Sequence, residues 1–210
     1  VLTNTNRAGV RASIKQWSQR KNIPDEVLND FIEIALSKAN WALRIPPLEA
    51  VAVMTIDAEG LTMLPANYIE AKEFAVTVDG DIISLDRKSI IEVNNLGNNV
   101  PSGAKPTAFG RFGQFLKVAP WNLGEVDNAV LYYYQALPTL TDDLSTNWFT
   151  KYCPEILLYG ALVELCNYTR DAEGAALWAE KFTQAINTLQ AVEERANWSG
   201  STLAVSLQGS

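Results

Sequence analysis

Helical periodicity at both ends of the chain encloses a middle written in strand texture, and that order restricts the fold more than any single motif. Residues 6–20, "NRAGVRASIKQWSQR", place Val10, Ile14 and Trp17 on one helical stripe, with Thr5 or Asn6 available as the cap. In the next segment Pro24 suits a first turn, and Asp25 and Glu26 complement the helix dipole. Leu28, Phe31, Ala35, Ala39 and Ala42 form its stripe, and Ile32, Leu36 and Leu43 widen it; Pro46-Pro47 stops it. After Pro138 the pattern returns. "PEILLYGALVELCNYTR" is almost wholly apolar and is expected at the centre of a helical layer. A last helix carries Leu177, Phe182, Ile186, Leu189 and Val192 at helical spacing.

Between these ends lie short runs rich in Val, Thr, Ile and aromatics, separated by turn signals such as Asp79-Gly80. Phe74-Val76-Val78 alternate, as do Leu116 and Val118 around Lys117. Short helices are expected at 65–71 and 87–95. The fold class that follows is α+β: terminal helices forming an α-helical bundle, an inserted antiparallel β-rich region and an extended C-terminal tail. The divisions are 1–47 and 149–197 for the helical domain, 48–148 for the insertion and 198–210 for the tail.

The chain offers little to catalysis. It has no histidine, which removes the commonest general base and most zinc sites. No phosphate-cradling glycine motif or nucleophile elbow occurs. Asp142-Asp143 read as turn and cap residues, and Glu49, Asp57 and Glu59 match no calcium loop. Cys153 and Cys166 read as two buried thiols. No cofactor or metal site is expected. No apolar run approaches the ~20 residues of a membrane span. The polar start is no secretory signal, and without a methionine it implies residues upstream. A soluble protein made in the cytoplasm is expected.

Net charge is −7, which disfavours general nucleic-acid binding. Residues 1–21 nonetheless carry five cations and no acid. Arg7, Arg11 and Lys15 stripe the first helix, either as a solvated face or as a docking surface for an acidic partner. Trp17, Trp41 and Trp178 lie at or beside apolar stripes and read as core. In "LYYYQALPTLTDDLSTNWFT", alternation sends Tyr132 and Tyr134 to one face of a strand and Tyr133 to the other, so both faces are expected to be covered. Tyr132 or Tyr134 and Trp148 are expected to pack at the corner between insertion and bundle. Leu203, Val205 and Leu207 alternate like a strand with no local partner, as an inter-subunit tail would.

Three blocks carry a family resemblance. "FIEIALSKANWALRIPPLEA", "LTMLPANYIEAKEF" and "YYYQALPTLTDDLSTNWFTKYCPEILLYGALVELCNYTRD" occur in order. They resemble the adaptor (head-to-tail connector) proteins of short-tailed bacteriophages. Asn67 stands where that family usually has an Asp. The resemblance implies a structural virion protein of the neck, assembled in the host cytoplasm, and not an enzyme. It implies a ring, by expectation a dodecamer, beneath the portal. That ring extends the DNA channel without binding DNA specifically and docks the tail nozzle or hub protein. On this reading Arg7, Arg11 and Lys15 face the portal. Two alternatives stand beside it: a carbohydrate-binding or fibre-associated virion module, and an enzyme working with carboxylates alone.

Overall fold

In a computed structural model of the chain, the structure describes residues 6–20, 22–98, 100–101, 104–123 and 126–198. The order opens with α1 (Arg7–Ser18), α2 (Asp25–Ala42), β1 (Glu49–Ile56), β2 (Leu61–Met63) and β3 (Tyr68–Val78). It continues with β4 (Asp81–Ser84), β5 (Asp86–Arg87), α3 (Ile90–Gly97), β6 (Ala108–Phe112), β7 (Phe115–Ala119) and β8 (Val126–Gln135). It closes with α4 (Trp148–Tyr152), α5 (Pro154–Tyr168) and α6 (Ala172–Trp198). The fold is α+β, and it divides into two compact units. One joins Val1–Pro47 to Leu137–Ser210; the other is Leu48–Ala136.

In the helical unit, Asn6 caps α1 by accepting from the Gly9 N–H at 2.9 Å. Leu28, Phe31, Ile32, Ala35, Leu36 and Ala39 of α2 are buried. α5 is apolar around its whole circumference because it packs against α1, α2, α4 and α6. Gly160 lets α2 come close: a Cβ there would stand 2.6 Å from the Ala35 Cβ. α6 buries Ile186 but leaves Leu177 and Val192 exposed. Its 27 residues span about 40 Å against about 22 Å for the 15 of α5.

Residues 137–148, placed with the insertion from sequence, are instead bound to the helices. Asn40, buried in α2, accepts from the Leu137 N–H (3.1 Å) and donates to the Leu137 carbonyl (3.3 Å). Glu33 accepts from the Leu140 N–H at 2.8 Å. Asn147 then caps α4, accepting from the Thr150 N–H.

The other unit is two four-stranded sheets, ordered β1-β8-β3-β4 and β2-β7-β6-β5. All pairings are antiparallel except the two-residue β5–β6 pair. Phe74, Val76, Val78, Phe109, Leu116, Val118, Leu131 and Tyr133 lie in its core. Asp79 and Gly80 both take positive φ (54° and 88°), as a two-residue hairpin turn between right-twisted strands requires. The expected helix at 87–95 forms as α3, opened by a Ser89–Glu92 capping box. The one expected at 65–71 does not form. Tyr68–Val78 is a strand, since pairing with β8 outweighs the helix-like Pro65 start. Asn67 secures that turn: it accepts from the Tyr133 hydroxyl (3.0 Å) and donates to Gln135 Oε1 (2.8 Å).

Candidate functional site

The three cations of α1 are answered inside the chain. Arg11 forms a bidentate pair with Asp143, at 2.8 and 2.9 Å. Its Nη1 also reaches Asn29 (3.0 Å), and its Nε lies 3.3 Å from Asp25. Lys15 pairs with the same Asp25. Arg7 donates to the Leu140 carbonyl at 2.6 Å and lies 3.4 Å from Asp143. The hydrogen bond from Arg11 holds the Asp143 carboxyl below its usual range, and Lys15, then Arg11, do the same for Asp25. From sequence the stripe is either a solvated face or a docking surface for an acidic partner. The structure supplies internal acids, 10 to 136 positions away in the chain.

Of the two acids at 142–143, Asp142 Oδ1 accepts from the Leu144 N–H at 2.8 Å, a turn role, while Asp143 anchors the arginines. Asp57 Oδ1 likewise takes the N–H groups of Glu59 and Leu61. Burial raises both thiols above their ordinary pKa, Cys153 to about 11, so neither is a thiolate near neutral pH. Among the described residues no cluster of three or more His, Cys, Asp or Glu side chains could hold a metal.

Of the three tyrosines, the core takes Tyr133. Tyr132 turns outward and is 43% exposed, while Tyr134 is half-buried. In register, Tyr132 lies opposite Val51, and Val130 lies opposite Val53. Val53 is 74% exposed and Val51 is also exposed. These four residues form one apolar block on the outer face of the first sheet. Lys72 donates to Glu49 beside it at 2.6 Å. The valines were missed from sequence, although "EAVAVMTI" is apolar at both parities, the same signal that marked the tyrosines. Trp148 is half-buried, and its ring packs on Phe149 and Tyr152 at 5.6 and 5.5 Å.

The tryptophans read as core are not core. Trp41 and Trp17 are exposed and Trp178 is half-buried. Trp17, Tyr159 and Trp178 make a surface cluster with ring centroids 5.8–6.1 Å apart. A stripe's edge and its centre look alike in a helical periodicity. Leu203, Val205 and Leu207 lie outside the described residues.

What these surfaces provide is area for contact. A family profile, that of the SU10 adaptor protein, matches residues 5–206. The chain belongs to this adaptor family. It is therefore a bacteriophage adaptor, a structural protein of the virion neck, where adaptors oligomerise and contact portal and tail proteins. No match is found among the curated proteins. The resemblance seen in the Leu-Pro-Ala-Asn-Tyr turn and the helix after Pro154 now has structural content. The first positions Asn67 under Tyr133, and the second is α5, the helix on which the others pack.

Proposed function

We propose that the adaptor forms a ring, a dodecamer by family resemblance, that assembles in the host cytoplasm and sits beneath the portal. It extends the DNA channel and offers a platform to the tail nozzle or hub. The observation that carries this reading, beside family membership, is the block of Val51, Val53, Val130 and Tyr132. Val51, Val53 and Tyr132 are exposed and Val130 is half-buried beside them, and apolar side chains left uncovered together on a sheet face mark a contact surface. We place no portal contact on Arg7, Arg11 and Lys15, whose charges are already met within the chain.

The test mixes the purified adaptor with portal protein and measures particle size and stoichiometry. Val53→Lys combined with Tyr132→Lys is expected to stay folded and fail to assemble. Assembly equal to wild type removes this face from the reading, and a wild type that never joins the portal removes the reading itself. A net charge of −7 predicts no affinity for duplex DNA at physiological salt. Micromolar, salt-sensitive binding contradicts a channel past which DNA slides.

A further inference from the structure

At one end of the second sheet, Met63, Phe115 and Phe112 are cross-strand neighbours on β2, β7 and β6, and all three are exposed. Met63, 63% exposed, also borders a groove of about 490 Å³ with Leu64, Pro65, Tyr68, Arg111 and Gln114. Arg111 is part of the lining of this groove. Its guanidinium lies 5.5 Å from the centre of the Tyr68 ring, and its Nε donates to the Gly113 carbonyl. Among the described residues it enters no ion pair. Methionine, aromatics and an arginine around one depression are the composition of an interface centre.

The complementary shape lies on the loop ahead of α4. Leu144 is 79% exposed, the most exposed large apolar side chain among the described residues. Beside it, Asp143 is committed to Arg11, but Asp142 is in no ion pair among the described residues. Its Oδ1 holds the Leu144 N–H, which fixes the leucine outward at the loop tip. Among the described residues, one exposed apolar knob thus carries a carboxylate that enters no ion pair, and one apolar groove carries a guanidinium that enters none.

We propose that the Asp142–Leu144 loop tip of one copy seats in the Met63–Arg111 groove of a second copy. Leu144 enters against Met63, Leu64 and Tyr68, and the Asp142 carboxylate meets the Arg111 guanidinium. Knob and groove are different surfaces present on every copy, so the contact is heterologous and propagates from subunit to subunit, closing into a ring when the rotation allows. The proposal rests on the reading of the adaptor as a subunit of a multi-copy ring, and it names a head-to-tail contact within that ring.

A double-mutant cycle tests it on the full chain. Asp142→Asn keeps the turn acceptor and removes the charge; Arg111→Gln removes the cation. Self-association is measured by sedimentation across concentration, with and without portal protein. Each single variant is expected to associate about tenfold more weakly, and the double variant no more weakly than either single one, because both changes remove the same contact. Leu144→Asp should lose association altogether while its circular dichroism and melting temperature stay at the wild-type values. Wild-type assembly by all three variants overturns the contact and leaves the ring reading standing, as do losses at 142 and 111 that simply multiply. A wild type that remains monomeric at every concentration and on portal overturns both.

Discussion

Replacing Asn40 by alanine should loosen the chain where it re-enters the helical unit. The amide is buried in α2 and makes two hydrogen bonds to one residue, accepting from the Leu137 N–H at 3.1 Å and donating to its carbonyl at 3.3 Å. Truncation leaves two backbone groups without partners. An unsatisfied buried group costs about 1–3 kcal/mol. Leu137 is half-exposed and water can reach part of the gap, so about 2–3 kcal/mol in total is expected. For a chain of this size each kcal/mol lowers the melting temperature by about 2–4 °C, which predicts a fall of roughly 4–12 °C. Asn40→Asp keeps the acceptor but loses the donor, and it sets a carboxylate against the Leu137 carbonyl, so it should rescue nothing. Calorimetry gives the shift, and amide exchange at Leu137 locates it. If Asn40→Ala melts within a degree of wild type and the Leu137 amide stays protected, the two hydrogen bonds do not hold the segment and the reasoning fails.

The Asp25 and Asp143 carboxyls sit below their unfolded pKa because of Lys15 and Arg11. Their stabilisation is present above the unfolded carboxylate range near 4 and is lost as pH falls through the lowered folded values. Asp25→Asn combined with Asp143→Asn should therefore flatten the decline in melting temperature between pH 5 and pH 2, about the range in which such carboxylates titrate; an unchanged slope refutes the assignment. Gly160→Ala should destabilise by about 1–3 kcal/mol in overpacking, despite alanine's better helix propensity, and Ala35→Gly should recover part of the loss in the double variant. Denaturant melts showing Gly160→Ala more stable than wild type would contradict the close α2–α5 approach. Both thiols should react slowly with a disulfide reagent at pH 8 and fully in urea, since burial raises them; rapid labelling of the native protein would refute this.

The division into terminal helices and a β-rich middle was legible because the two periods differ over long stretches, and the Asp79-Gly80 turn because few other residue pairs take positive φ twice. What escaped the sequence depends on partners far along the chain. The segment at 65–71 carries a helix start, yet its residues are claimed by β8, more than sixty positions later. Arg11 looks free in a stretch without acids until the fold brings Asp143 to it. Residues 137–148 read as part of the insertion because nothing local announces that Asn40 and Glu33 bind them. The apolar sheet face was half legible. The tyrosine run showed it, but only register sets Val51 and Val53 beside Tyr132 and Val130.

That register has a consequence for the birth of the chain. Glu49, the first residue of β1, pairs with Tyr134 near the end of β8, so the two ends of the β unit stand about 5 Å apart across one ladder rung. The helices divide across that unit, with α1 and α2 made before it and α5 after it. Bringing α2 and α5 together from an open chain means closing a loop of about 110 residues, from Ala42 to Pro154, an entropic cost of about 4 kcal/mol from the length-dependent part alone. A β unit already folded closes that loop beforehand, because its first and last strands pair. On the ribosome the β unit emerges before α5, so the middle of the chain is a clasp whose closing favours the meeting of its two ends by about that much.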